Sequence, residues 1–418
     1  MKLPVLTLLL YMMPGIFASA EEAPPFDKWS LWSGTTQLRG ANIWQTRSYR
    51  GTYDYVERAS VGPTFTQEEF DTLSKLGANY VQISHPGLFS EVPPYRRDTA
   101  AIENLDRLLS MIHKADMFAV IAFRSGPGRS EFTFVRGEVG DWYHKRQLDE
   151  TIWDDKRRQD AWVDMCRFTA ERYRENPVVV GYEFMVEPNG NVTDTGSGAG
   201  SPGAFYPEFA GTEHDWNLFY PRIIRAVRDV DPLAPLLIGP MGYSSVGWLP
   251  YLVKTKAERV VYVVHQYAPY SDYTHQGPSG QNTYPAPAGS GSFNRSWIQQ
   301  LLAPIVRWAE DQSRIAITEF GVARWVPGAD RFIDDQISLF EEHNWNHAIW
   351  VWHPATYPAA GFPGNMHIAL GPAPDATRPA AASALLDALS KHWKKNRVRP
   401  STIGHAFPST NDTPTVRQ

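Results

Sequence analysis

From residue 38 to residue 394 the chain repeats one pattern eight times: a short continuous apolar run, then an amphipathic stretch long enough for a helix. The apolar runs are 38–43, 79–83, 117–123, 178–185, 235–239, 260–265, 314–318 and 347–352. They are rich in Val and Ile and lack the polar alternation of a strand with one wet face. Both faces are therefore expected to be buried, as in a parallel sheet covered by helices. The amphipathic stretches lie near 67–76, 100–115, 156–175, 216–230, 245–257, 296–312, 330–343 and 378–394. Eight β-then-α units close most naturally into an α/β fold of the (β/α)8 TIM barrel type, as a single domain. An open, doubly wound sheet is the alternative. It would normally carry a Gly-rich phosphate turn after its first strand, and Arg39-Gly40-Ala41-Asn42-Ile43-Trp44 is not one.

In the barrel reading, the fourth and seventh runs each lead into a glutamate. One reads Val178-Val179-Val180-Gly181-Tyr182-Glu183-Phe184-Met185-Val186-Glu187-Pro188, the other Arg314-Ile315-Ala316-Ile317-Thr318-Glu319-Phe320-Gly321. Glu187 and Glu319 then fall at the C-terminal ends of barrel strands, where such barrels carry their active sites. A lone glutamate at a strand end is ordinarily a surface residue. Two, ending strands four and seven, face one barrel mouth. Two carboxyl groups flanking one sugar ring are what glycoside hydrolysis requires: one protonates the leaving oxygen and the other acts from the opposite face.

The letters around these glutamates resemble glycoside hydrolase family 5, the cellulase-like family of clan A. That family ends strand four in Asn-Glu-Pro and strand seven in Glu-Phe-Gly or Glu-Trp-Gly. The resemblance implies Glu187 as acid/base and Glu319 as nucleophile of a retaining enzyme. Val264-His265-Gln266-Tyr267 matches the family's His-x-Tyr, which implies that Tyr267 hydrogen-bonds the nucleophile and His265 borders the acid/base. Ile349-Trp350-Val351-Trp352 matches its strand-eight Trp, the floor of the sugar subsite; Trp350 aligns best, and Trp352 shares its direction along a strand. Trp44 and Asn42, ending strand one, either line a subsite or pack as strand ends do.

Three supports depart from the family pattern. Gln82 stands where strand two usually ends in Arg, Arg124 where strand three usually carries His, and Val186 where the Asn that binds the sugar 2-hydroxyl would be. Val cannot make a hydrogen bond that strengthens in the transition state and is worth several kcal/mol on the order-of-magnitude scale of this chemistry. Three readings follow. Arg124 moves its guanidinium into the space of the missing Arg; or the substrate lacks or modifies the 2-hydroxyl contact; or the barrel binds glycans without cleaving them. Against the last, a decayed site has no physical reason to keep two carboxylates that repel each other.

Composition bounds the rest. A net charge of −5 gives no reason to expect nucleic acid or an anionic membrane as partner. Fifteen Trp and nineteen Tyr suit sugar-stacking surfaces and large cores alike. Lys2, the apolar stretch Val5 to Met13 and Ala18-Ser19-Ala20 read as a signal peptide over residues 1–20, so a secreted or periplasmic protein is expected. Cys166 is the only cysteine, so no intrachain disulfide forms. The catalytic domain is expected over 21–395, with a polar, disordered tail over 396–418. Three long loops, 124–155, 189–215 and 268–295, follow strands three, four and six on the proposed active face. His265 and His275 lack zinc spacing, and the implied reaction needs no metal or cofactor. The implied substrate is a β-linked oligo- or polysaccharide, cut by an endo-β-1,4-glucanase-like monomer. A β-mannanase and an exo-acting β-glucosidase-like enzyme are the alternatives.

Overall fold

The structure is a computed structural model that describes residues 26–47, 61–130, 151–189, 200–286, 292–354, 364–380 and 382–403. The expected signal peptide lies outside these residues. Eight parallel strands close into a barrel: β1 (Arg39–Trp44), β2 (Tyr80–Pro86), β3 (Phe118–Ser125), β4 (Val179–Glu183), β5 (Leu236–Ile238), β6 (Val260–Gln266), β7 (Arg314–Phe320) and β8 (Asn346–Ile349). Each strand pairs with its sequence neighbours, and β1 closes the ring between β2 and β8. Almost every strand residue is buried, as the uninterrupted Val/Ile runs require.

The outer helices are α1 (Gln67–Lys75), α2 (Thr99–Lys114), α3 (Lys156–Tyr173), α4 (Pro202–Phe209), α5 (Trp216–Arg228), α6 (Arg295–Trp308), α7 (Ala329–Glu342) and α8 (Ala384–Trp393). Their starts follow from local chemistry. Asp98, Asp155, Asp215, Asn294 and Ser383 each accept a backbone N–H of the first turn, and Thr66 forms a capping box with Glu69.

Two expectations need correction. The amphipathic stretch 245–257 forms only a short tight turn over Val246–Tyr251. Gly247 and Pro250 explain this: Gly raises the entropic cost of a helix and Pro removes a donor. Residues 396–403, expected to begin a disordered tail, are docked across the N-terminal ends of the strands. Asn396 donates to Arg39 O (3.1 Å) and Gly77 O (2.9 Å), Asn79 donates to Val398 O (2.8 Å), and Arg399 donates to Ser74 Oγ and Asp116 O (both 3.1 Å). A polar segment is ordered here because it satisfies carbonyls left open at strand and helix ends. Residues 404–418 lie outside the described ones.

Two apolar layers result. One fills the space between strands and helices; the other lies inside the barrel and includes Leu38, Tyr80, Phe118, Val120, Val180 and Val263. Leu31 and Trp32 seal this inner layer from below, and Trp32 Nε1 donates to Val180 O (2.9 Å). Polar groups inside the barrel therefore gather at the opposite, C-terminal end.

Candidate active site

Strand β4 stops at Glu183, and the chain continues through Phe184–Val186 to Glu187, which takes a left-handed φ of 50°. The segment is held along its length. Trp162 Nε1 donates to Phe184 O, and Val186 N donates to Phe123 O, both at 2.9 Å. Glu319 lies within β7, next to its last residue. One ligating atom from each of Glu187, His265 and Glu319 lies within 4.8 Å of the others. The two carboxyl groups expected to face one another are thus brought together over the barrel axis.

Arg124, from β3, reaches both carboxyl groups. Its guanidinium touches Glu319 Oε1 directly, lies 3.7 Å from Glu187 Oε2, and is steadied by a hydrogen bond to Ser84 Oγ. Its charge also lies over the Trp350 ring, 4.6 Å from the centroid. Tyr267 Oη donates to Glu319 Oε2 (3.0 Å). Glu319 therefore receives a guanidinium and a phenol, the set that steadies an ionised carboxylate.

His265 lies beneath the pair. Nδ1 is 2.9 Å from Glu187 Oε1 and 3.6 Å from Glu319 Oε2; Nε2 is 3.1 Å from Thr318 Oγ1 and 3.7 Å from Glu183 Oε1. Burial works against its charge, but Glu319, Glu183 and Glu187 outweigh burial and push its pKa up to about 10. This favours the imidazolium at neutral pH, in which both ring nitrogens can donate, to Glu187 Oε1 and Thr318 Oγ1. Burial favours the neutral form of Glu187, yet the hydrogen bond and charge of His265, with Arg124, hold it below the usual glutamate range. Glu319 stands above its usual range: burial raises it, Arg124 and His265 oppose, and the two neighbouring glutamates add to burial.

Of the other expected residues, Trp350 is 2% exposed and packs against Trp44 at 6.0 Å between ring centroids, with Tyr267 beside them. Trp352 joins the layer between strands and helices instead. β8 ends at Ile349, so the side-alternation that made the two Trp equivalent no longer applies beyond it. Gln82 does not reach the mouth. Its Nε2 donates to Glu183 Oε2 (2.6 Å) and its Oε1 accepts from Tyr80 Oη, one layer below. Asn42 is likewise structural, its Nδ2 donating to Thr318 O (2.8 Å) and Ala348 O (3.1 Å). His275 stacks on Tyr270 at 3.7 Å and stands apart from His265 as a ligand.

Sequence reasoning overlooked Ser84, Glu183 and Thr318. The signal existed for two of them: Ser84 shares Gln82's face of β2, and Thr318 directly precedes Glu319. Glu183 is in the quoted run, but nothing in the letters says that a mid-run carboxylate points into the barrel. As a metal centre the trio is poorly suited. Arg124 and the imidazolium already supply two positive charges, which a cation would have to displace.

Residues 37–356 match the family described as Cellulase (glycosyl hydrolase family 5). The chain belongs to glycosyl hydrolase family 5. It is a glycosidase by that membership. Endoglucanase C of Acetivibrio thermocellus is 23% identical over 323 residues, covering 68% of this chain and 83% of its own. A β-xylosidase of Phanerodontia chrysosporium is 20% identical over 320 residues, covering 73% of this chain and 58% of its own. Among solved structures, Thermotoga maritima Cel5A in complex with cellobiose, in a mutant form, superposes with a TM-score of 0.61 at 18% identity, over 88% of this chain and 99% of that one. The same protein in complex with mannotriose also gives 0.61 at 18% identity, over 87% and 100%. At these identities the likeness is one of fold, and it is the (β/α)8 barrel of family 5.

Proposed function

We propose that this family 5 enzyme is an exported, retaining β-1,4-glucanase in which Glu319 is the nucleophile and Glu187 the acid/base. The observation that carries the reading is the approach of the two carboxyl groups, with oxygens within 4.8 Å. Retaining enzymes place them about 5–5.5 Å apart, whereas inverting enzymes need roughly 6.5–9.5 Å to admit a water.

Glu319 Oε attacks the anomeric carbon as the glycosidic bond breaks, and the bond electrons leave with the aglycone oxygen. Glu187 supplies the proton that oxygen takes up. Water then enters, Glu187 removes its proton, and the glycosyl–Glu319 ester is hydrolysed with overall retention. Arg124 and Tyr267 steady the carboxylate of Glu319 before attack and when it is released. His265 and Arg124 favour the ionised form of Glu187. Sugar in the cleft strips its remaining water, which favours the neutral acid, and the nearest proton is on His265 Nδ1 at 2.9 Å.

A mannan substrate is the second reading. Val186 offers no hydrogen bond to an equatorial 2-hydroxyl, so an axial one meets no penalty there. The test is anomer-resolved NMR of cello- and manno-oligosaccharide hydrolysis. First appearance of the β-anomer, abolished by Glu319→Gln, supports the proposal; first appearance of the α-anomer refutes retention. Faster turnover of manno-oligosaccharides moves the substrate to mannan.

A further inference from the structure

We propose that Arg129 is the positioning residue for Glu187, a backbone clamp that aims the acid/base carboxyl. The inference rests on the reading of Glu187 as acid/base.

Arg129 is completely buried on the turn after β3. Its Nη1 donates to Val186 O (3.0 Å), and its Nη2 donates to Glu187 O and to Asn189 Oδ1 (both 2.9 Å). The planar fork thus grips the backbone on both sides of the Glu187 Cα. A lysine cannot reproduce this, having one nitrogen and no fixed fork. The grip answers a local need. A left-handed φ in a residue with a Cβ costs about 1–3 kcal/mol and persists only where the surroundings over-determine it. Glu187 has that φ, and Val186 contributes no side-chain hydrogen bond to hold the turn.

The clamp itself is fixed. Arg129 N and O pair with Gly126 O and N at 2.9 Å, and Gly128 N donates to Glu91 O at 2.9 Å. A Cβ at Gly126 would come within 2.7 Å of Met165 and 2.9 Å of Trp162, so the turn is pressed onto α3. Glu91 is tied in turn to the buried Arg47 (2.9 Å), which also holds Asp98 (3.0 Å). The position of the acid/base carboxyl is thus carried from α3 and the segments that follow β1 and β2 through one guanidinium to the Glu187 backbone. Misplacing such a group by an ångström is enough to cost about a hundredfold in rate.

The test uses the full chain and a series of aryl β-cellobiosides with leaving groups from 2,4-dinitrophenol to phenol. The acidic phenol departs without a proton and the weakly acidic one needs it. Arg129→Met and Arg129→Lys are compared with wild type and with Glu187→Ala. The expected result for Arg129→Met is a loss in kcat/KM under about tenfold for the dinitrophenyl substrate and about a hundredfold or more for the phenyl one, given the 10²–10⁴ that general acid catalysis contributes. Arg129→Lys should fall between this variant and wild type, and it serves alone if Arg129→Met does not fold. Equal losses across the series, with Glu187→Ala steep, overturn the clamp and leave the reading of Glu187 intact. A flat series for Glu187→Ala overturns both.

Discussion

Replacing Arg124 by Met tests the arrangement most directly, because its guanidinium contacts Glu319 and also reaches Glu187. Its guanidinium is in contact with Glu319 and 3.7 Å from Glu187 Oε2, with its side chain 9% exposed. With charge centres roughly 4 Å apart and an effective dielectric constant of about 20, the attraction to Glu319 is about 4 kcal/mol. Removing the charge takes away an attraction of that size and so raises Glu319 further. Burial and the neighbouring glutamates already hold Glu319 above its usual range. A nucleophile that must be ionised then becomes mostly neutral at mildly acidic pH. The acidic limb of kcat/KM should move to higher pH, and activity below that limb should fall by up to about a thousandfold, the ratio that about 4 kcal/mol represents. Release of nitrophenol from an aryl β-cellobioside, followed from pH 4 to 9, reads both quantities. Arg124→Lys keeps the charge but loses the fork, and should move the limb by less. Thermal melting checks that each variant is folded. A limb that moves by less than about one unit in folded Arg124→Met would refute the assignment of Arg124 as the electrostatic partner of Glu319.

Three further outcomes are expected. Tyr267→Phe removes a 3.0 Å hydrogen bond to Glu319, and hydrogen bonds to charged groups are worth about 1.5–3 kcal/mol; kcat should fall about ten- to a hundredfold with KM nearly unchanged, and an unaltered kcat contradicts this. His265→Phe removes the imidazolium beneath both glutamates, so the pH profile should lose the inflection it sets, and an unchanged profile would show that His265 does not govern Glu187. At the other end of the barrel, Glu341 meets Arg39 (2.5 Å) and Lys395 (2.6 Å), with His392 at 3.4 Å and His347 at 3.8 Å. Burial favours its neutral form, but the hydrogen bonds from Arg39 and Lys395, with the two histidines close by, hold it far below the usual range, so its contribution is fully present above about pH 4.5 and is lost as pH falls. Glu341→Gln should therefore cost roughly 3 kcal/mol at pH 7, and the gap in melting temperature from wild type should narrow toward pH 3; a gap independent of pH counts against the network.

By itself, the chain of letters determined the barrel and the two strands that carry Glu187 and Glu319. Strand count and burial are written in local patterns: continuous Val/Ile runs, amphipathic stretches and Asp, Asn or Ser caps each need only a few neighbouring residues. The family motifs at Glu187, Glu319, His265 and Tyr267 are equally local. The altered supports were not legible in the same way. That Gln82 turns down to Glu183 while Arg124 reaches across to Glu319 depends on the relative register of β2, β3, β4 and β7, which no single strand encodes. The choice of Trp350 over Trp352 depended on where β8 stops. Glu183 under His265, and Arg129 around the Glu187 backbone, join residues 82 and 58 positions apart. Only barrel closure, which sets side chains from different strands face to face in a dry interior, decides which charges meet.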